Sequence, residues 1–218
     1  MYVKNKMTKN PVTIDKNVTI SEALDMFVTN DFHRLPVVDN TNRLIGLITE
    51  GVIQANTPSH ATSLSIHELN YILNKTNIDS IMIKNVITIN PDALLEEAAD
   101  KMRKHGINCL PVVDASHKLL GIITQKDIFG AFIELLGYYE EGTRLVVDVP
   151  EDKVGILAKI SALLAKEDIN ITNLAVYRDE TVSVVIRVSD VRAEKIRALL
   201  EENGYQVTDV RVNKRTEE

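Results

Sequence analysis

The strongest constraint on this chain is that most of its first half occurs twice. Aligning Met7 with Met82 sets an offset of 75 residues, and the register then holds without a gap to Ile53 and Ile128. FHRLPVVDNTNRLIGLITEGVI falls on INCLPVVDASHKLLGIITQKDI. Identities include Thr13/Thr88, Glu22/Glu97, Leu35/Leu110, Pro36/Pro111, Asp39/Asp114, Gly46/Gly121 and Thr49/Thr124. A gapless self-match of this length implies a duplicated structural unit. Two copies separated by a spacer form a pair, not a solenoid.

The pattern inside each copy is the same. In the second, Leu110–Val113 reads as a strand, Asp114-Ala115-Ser116 as a turn and Leu119–Ile123 as a second strand. Thr124 and Asp127 then sit three apart, as at a helix start. Upstream, Ile20, Ala23, Leu24 and Phe27 fall at helical spacing, with Thr19 or Ser21 near the cap; Leu94, Leu95, Ala98, Ala99 and Met102 do likewise. Each copy therefore reads as short strand, helix, two strands, helix. Neither copy alone buries two helices and a sheet, so side-by-side pairing is expected. Between them, Thr57–Ser63 is loop-like. Ile66, Leu69, Tyr71, Ile72 and Leu73 predict a helix whose apolar face packs on its own module or on a second subunit.

The last helix of the second copy is expected to continue through Phe129–Tyr139, and Gly137 and Glu140-Glu141-Gly142 mark a boundary. Strands are predicted over Arg144–Val149, Ile171–Tyr177, Val182–Val188 and Tyr205–Val212. Helices are predicted over Val154–Lys166 and Val191–Glu202, with Arg178-Asp179-Glu180 as a hairpin turn. The order βαββαβ is the split βαβ, ferredoxin-like arrangement. The chain thus reads as α+β: two β-α-β-β-α units at 1–56 and 78–139, a linker with a helix at 57–77, and a ferredoxin-like domain at 143–213.

Composition excludes several functions. The formal net charge of -6 disfavours wholesale nucleic-acid binding, which needs a basic face, and the absence of Trp argues against a stacking platform for single strands. Cys109 is the single cysteine, so no intrachain disulfide forms. His60, His67, His105 and His117 lack ligand spacing, so no metal site is expected. No secretory core follows Met1 and no apolar run reaches bilayer length, so a cytoplasmic protein without membrane association is expected. No P-loop, nucleophile–base pair or clustered carboxylates appear, so no catalytic residue is assigned and enzyme activity is not expected.

The residues LPVVD, followed by Gly-hydrophobic-hydrophobic-Thr-x-x-Asp and intact as Gly121-Ile122-Ile123-Thr124-Gln125-Lys126-Asp127, resemble CBS motifs (cystathionine-β-synthase-type). Together the two copies resemble a CBS pair, or Bateman module. Asp152-Lys153-Val154-Gly155-Ile156-Leu157, with Asp168-Ile169-Asn170-Ile171, resembles an ACT domain. The order CBS–CBS–ACT is similar to the acetoin-utilisation accessory (AcuB) family.

The resemblance implies an adenosine nucleotide (AMP, ADP or ATP) bound as a regulatory ligand between the motifs, with no required cofactor. By position, Thr124 and Asp127 hold the ribose. His33 and Arg34, in an HRLP run similar to that of the γ subunit of AMP-activated protein kinase, meet the phosphates. Lys126 is a further phosphate candidate, and Ile87, Thr88, Leu110 and Pro111 line the adenine. The reciprocal site lacks both parts, with Val52 at the acid position and Asn108 and Cys109 at the basic ones. One competent and one degenerate site are therefore expected. S-adenosylmethionine, NAD and cyclic di-AMP are alternative ligands.

Blander readings stand beside these. Asp127 can simply cap a helix, Arg34 can lie solvated or pair with Asp31, and Cys109 can be an apolar filler. In the ACT-like part, Asp152, Gly155 and Asn170 sit where relatives bind amino acids at a subunit interface. Gly155 near a helix N-terminus leaves N–H groups for a carboxylate, although Val154 replaces the Pro often found there. The rival function is an amino-acid-responsive regulator with the CBS pair as a dimerisation scaffold. Either reading implies a homodimer and an unidentified effector protein.

Overall fold

The computed structural model describes residues 1–30, 32–57, 65–149, 153–178 and 181–214. They form two compact units, Met1–Ile128 and Phe129–Glu218.

The first unit opens with a single helical turn, α1 (Val3–Lys6), and a two-residue strand, β1 (Thr8–Lys9). Then come α2 (Ile20–Asn30), β2 (Arg34–Val38), β3 (Leu44–Thr49) and α3 (Glu50–Asn56). After α4 (Ile66–Lys75) and a 3-10 turn at Ile78–Ser80, the second copy gives α5 (Leu95–His105), β4 (Cys109–Val113), β5 (Leu119–Thr124) and α6 (Gln125–Leu135). The duplicated sequence yields duplicated hairpins. Pro36 faces Leu47 and Pro111 faces Ile122, and each hairpin has a register shift at the same step, Val37/Val38 and Val112/Val113. Asp39 and Asp114 close the two turns in the same way, each Oδ1 accepting from backbone N–H groups two and four residues on. The capping residue of α2 is Thr19, whose hydroxyl and N–H donate to Glu22 Oε2.

The expected opening strand of each copy is reduced to a single parallel bridge, Ile14 to Val37 and Ile89 to Val112. The segment just before it crosses to the other copy. Val3 N–H donates to the Ala93 carbonyl, Lys4 N–H to Pro91, and Leu95 N–H back to Met1. At positions 75 residues later, Ile78 donates to Val18, Asp79 to Lys16, and Ile20 to Thr76. β1 extends the second hairpin to the order β1-β5-β4, Thr8 facing Ile122; its counterpart Ile83 bridges Leu47 of the first. Two glycines permit this approach. A Cβ on Gly121 would lie 2.7 Å from Met7 Sδ and from the Thr8 carbonyl, and one on Gly46 would overlap Met82 Sδ. Each copy is thus completed by the other's leading segment. The hairpin turns also meet, Leu44 N–H donating to His117 O and Leu119 N–H to Asn42 O. Between the copies pack Leu44, Val113 and Leu119, and Leu47, Cys109 and Ile122.

The helix expected in the linker is present as α4, with a Ser65–Glu68 capping box. Its Leu73 packs on the core of the first copy, while Ile66 and Tyr71 stay exposed. The preceding loop lies outside the described residues from 58 to 64.

In the second unit, β6 (Gly142–Val149), α7 (Ile156–Lys166), β7 (Ile171–Arg178), β8 (Val182–Val188), α8 (Ala193–Glu202) and β9 (Gln206–Asn213) realise the βαββαβ order. The sheet order is β7-β8-β6-β9, with every pair antiparallel. Leu145 and Val147 of β6 and Val184 and Ile186 of β8 turn inward on Ile160, Leu164, Ile196 and Leu200 of the two helices. The continuation expected through Tyr139 stops at Leu135, where the chain turns through Gly137 with φ +63°. Residues 179 and 180 of the expected hairpin turn lie outside the described residues.

Candidate functional site

The site is built where β5 runs into α6. Thr124 N–H and Oγ donate to Asp127 Oδ2 at 2.7 and 2.8 Å, and Asp127 N–H returns to Thr124 Oγ at 3.4 Å. This is a reciprocal cap, so the bland reading of Asp127 is realised. It occupies one carboxylate oxygen. Oδ1 accepts no hydrogen bond among the described residues, and Asp127 is only half-buried. The same junction in the first copy keeps the Thr49 cap on Val52 N–H but has no acid.

Arg34, on β2 of the first copy, reaches across to the second. Its Nε donates to Asn108 Oδ1 at 2.9 Å. Asn108 in turn accepts the Gln125 N–H on its backbone carbonyl, at 3.1 Å, in the first turn of α6. One residue thereby ties the guanidinium of one copy to the helix start that carries Asp127 in the other. The neighbouring Cys109 is the direct strand partner of Thr124. Burial pushes its thiol above the usual range and the Arg34 charge pulls the other way. Native Cys109 is therefore expected to resist alkylation near neutral pH and to react fully in denaturant. Rapid labelling of the native chain by a maleimide would contradict this burial.

The other expected residues divide. His33 is placed beside Glu50, Nδ1 to Oε2 at 3.1 Å, and is exposed. Lys126 is exposed on the first turn of α6. Ile87 and Thr88 are half-buried, but Leu110 and Pro111 are buried, Leu110 with no accessible surface. Of the four expected adenine-lining residues, only Ile87 and Thr88 offer open surface. The Asp31 alternative for Arg34 lies outside the described residues.

Two residues were not foreseen in these roles. Asn108 looked like a lost base and is instead the acceptor that orients Arg34. Lys101 of α5 donates Nζ to the Thr88 carbonyl at 2.8 Å. Its counterpart in the first copy is Met26, so a break in the repeat was the available signal.

In the second unit, Gly155 adopts φ +90° at the start of α7 and borders a hollow of about 160 Å³ with Lys153, Leu157 and Arg178. Asn170 is exposed and accepts Ser189 N–H on its carbonyl; it does not line that hollow. Asp152 lies outside the described residues. Among the described residues no cluster of three or more His, Cys, Asp or Glu is placed to hold a metal, and no helix is long and apolar enough to cross a membrane.

Residues 3–53 and 78–134 match the CBS domain model, and residues 143–204 match the ACT domain model. The chain belongs to the CBS-domain family and carries an ACT domain behind the pair. A CBS domain-containing protein of Dictyostelium discoideum is 34% identical over 136 residues, covering 62% of this chain and 94% of the relative. A CBS domain pair solved with 5′-methylthioadenosine and S-adenosyl-L-methionine shares 32% identity at a TM-score of 0.50, over 61% of this chain and 95% of that one. A provisionally named acetoin utilization protein (AcuB) of Vibrio cholerae shares 30% identity at a TM-score of 0.53, over 63% of this chain and 93% of that one. The CBS-domain chain also matches a Methanococcus vannielii homoserine O-acetyltransferase at 40% identity, but spans only 24% of that enzyme. CBS and ACT domains are regulatory modules, and the related CBS pair is the part solved with adenosine-type ligands.

Proposed function

We propose that the protein is a ligand-controlled regulator that binds one adenosine nucleotide per chain between its CBS motifs. The observation that carries the reading is the Arg34–Asn108–Gln125 link, which sets a guanidinium from the first copy beside the acid-bearing helix start of the second. Asp127 Oδ1 accepts a ribose hydroxyl, Arg34 forks to phosphate oxygens, and Ile87 and Thr88 meet the base. Lys126 adds charge and His33 a hydrogen-bonding ring nitrogen at the phosphate end, His33 after leaving Glu50. The related pair solved with 5′-methylthioadenosine and S-adenosyl-L-methionine supports the adenosine part, and Arg34 supports phosphate over sulfonium. Binding controls activity only through unequal affinity for two arrangements of the motifs. The likeness to AcuB supports a role in acetoin utilisation; the further part of the proposal is that the protein acts there as a cytoplasmic homodimer on an effector protein.

Calorimetric titration of AMP and S-adenosylmethionine tests this. One nucleotide per chain is expected. Asp127→Ala weakens every adenosine ligand at least about tenfold, whereas Arg34→Ala weakens only the phosphorylated ones. Two equal sites per chain, or nucleotide binding indifferent to both variants, would overturn the reading.

A second reading rests on the left-handed Gly155 beside the hollow at α7: an amino-acid carboxylate on free helix N–H groups, with the CBS pair as scaffold. Amino-acid binding that persists in Asp127→Ala while no nucleotide binds the native chain would favour it.

A further inference from the structure

The face of the second unit's sheet turned away from α7 and α8 carries like charges in register. On β6, Arg144 is the direct partner of Arg187 on β8 and of Arg211 on β9. The alternation that buries Leu145 and Val147 under the helices turns Arg144 to the opposite face. Like charges directly opposite on neighbouring strands destabilise a sheet. Adjacent strands lie about 4.8 Å apart, so three guanidinium stems rise within about 10 Å.

Compensation is incomplete. Asp209 holds both Arg144, Nη1 to Oδ2 at 2.8 Å, and Arg211, Nε to Oδ2 at 3.1 Å. Arg187 has no carboxylate partner among the described residues. Burial, then the Arg144 charge, lower its guanidinium from the usual range, and Tyr138 acts in the opposite sense. The row floors a concavity of about 1160 Å³ whose walls include Tyr138, Tyr139 and Lys214. The two tyrosine rings meet edge to face, with centroids 5.3 Å apart. Four cations thus surround one carboxylate in a chain of net charge -6.

Packing alone does not account for this row. A second copy docked face to face through a two-fold axis would set arginines against arginines. A single carboxylate would satisfy one fork and leave the others repelling. We infer that the hollow binds a small molecule bearing a polyphosphate chain, laid along Arg187, Arg144 and Arg211 with each guanidinium forking to its oxygens. Free polyphosphate and the tail of a nucleoside polyphosphate share this chemistry; the tyrosine wall serves the second. The site lies wholly in the second unit and does not rest on the nucleotide cleft.

The test uses the full chain carrying Asp127→Ala and Arg34→Ala, so that the cleft loses both its ribose and its phosphate contact, with tripolyphosphate, ATP and adenosine as probes in low-salt buffer. Tripolyphosphate is expected to raise the melting temperature and to titrate calorimetrically. Arg187→Met and Arg211→Ala should each weaken it about tenfold or more. Arg187→Met keeps the aliphatic stem and removes one repulsion, so without anion it should melt higher than its parent. ATP binding tighter than tripolyphosphate marks the nucleoside as the source; equal binding marks free polyphosphate. If Arg187→Met does not fold, the exposed Arg211→Ala decides. No tripolyphosphate binding once Asp127 and Arg34 are replaced, or binding that the Arg187 and Arg211 variants leave unchanged, overturns the proposal.

Discussion

Gly142→Val is expected to unfold most of the second unit's sheet at temperatures where the native chain is folded. Gly142 opens β6 with φ +133°, a backbone region closed to β-branched residues. A Cβ there would overlap the Val188 carbonyl oxygen, a backbone atom that cannot rotate aside. Val188 is held as the partner of Thr143, whose hydroxyl donates to Asp190 O at 2.6 Å. Relief therefore requires β6 to leave β8, its partner at the centre of the sheet. Strain and overpacking together suggest a cost of about 3–5 kcal/mol, a large share of a domain's stability. For a unit of this size that lowers the melting temperature by on the order of 15 °C. Amide exchange localises the damage: protection should vanish along β6 and β8 and persist along β4 and β5. An unchanged melting temperature would show that the strand start tolerates a side chain.

Val3→Asp is expected to disable the proposed nucleotide cleft without touching it. Val3 is wholly buried, although it belongs to a helical turn of four residues near the chain's beginning. What buries it is the second copy, through the Val3–Ala93, Lys4–Pro91 and Met1–Leu95 hydrogen bonds. A carboxylate there has no partner, and a buried unpaired charge costs about 3 kcal/mol or more. With the turn expelled, β1 leaves β5 and Met7 uncovers Gly121. β5 is the strand that delivers Thr124 and Asp127. Nucleotide affinity should therefore fall at least about tenfold, and the melting temperature by roughly 6–12 °C. Val3→Ala, which leaves a cavity and no charge, should do much less. Equal effects of the two, or full affinity in Val3→Asp, would contradict the coupling.

The arm that Val3 anchors marks the limit of what the sequence makes legible. The duplication, both hairpins, both inner helices and the βαββαβ order follow from local pattern, because periodicity and turn chemistry act within a few residues. The exchange of leading segments does not. A two-residue strand such as Thr8–Lys9 carries no period, and its partner lies more than a hundred residues away. The match of Val3 to Ile78 was available in the 75-residue register, but nothing local says which copy each side chain enters. At the candidate site, Arg34 and Asp127 stand out by position, because the repeat shows where each copy departs from its twin. Asn108 was read only as a missing base; its role depends on facing Arg34 across the two copies. Leu110 and Pro111 share the strand expected to line the adenine, and only the packed structure shows them closed off. The arginine row was invisible for a similar reason: Arg144, Arg187 and Arg211 are far apart in sequence and meet through strand register.

The reciprocal crossing of the leading segments has a consequence for how such a chain arises. A polypeptide holding one copy alone would fold with an empty seat and a loose end, and a second molecule would satisfy both at once. Joining two copies in tandem turns that two-body encounter into a one-body event, so the halves become independent of concentration and free to diverge. Val52 at the position of Asp127, and Cys109 at that of Arg34, are the kind of divergence this permits.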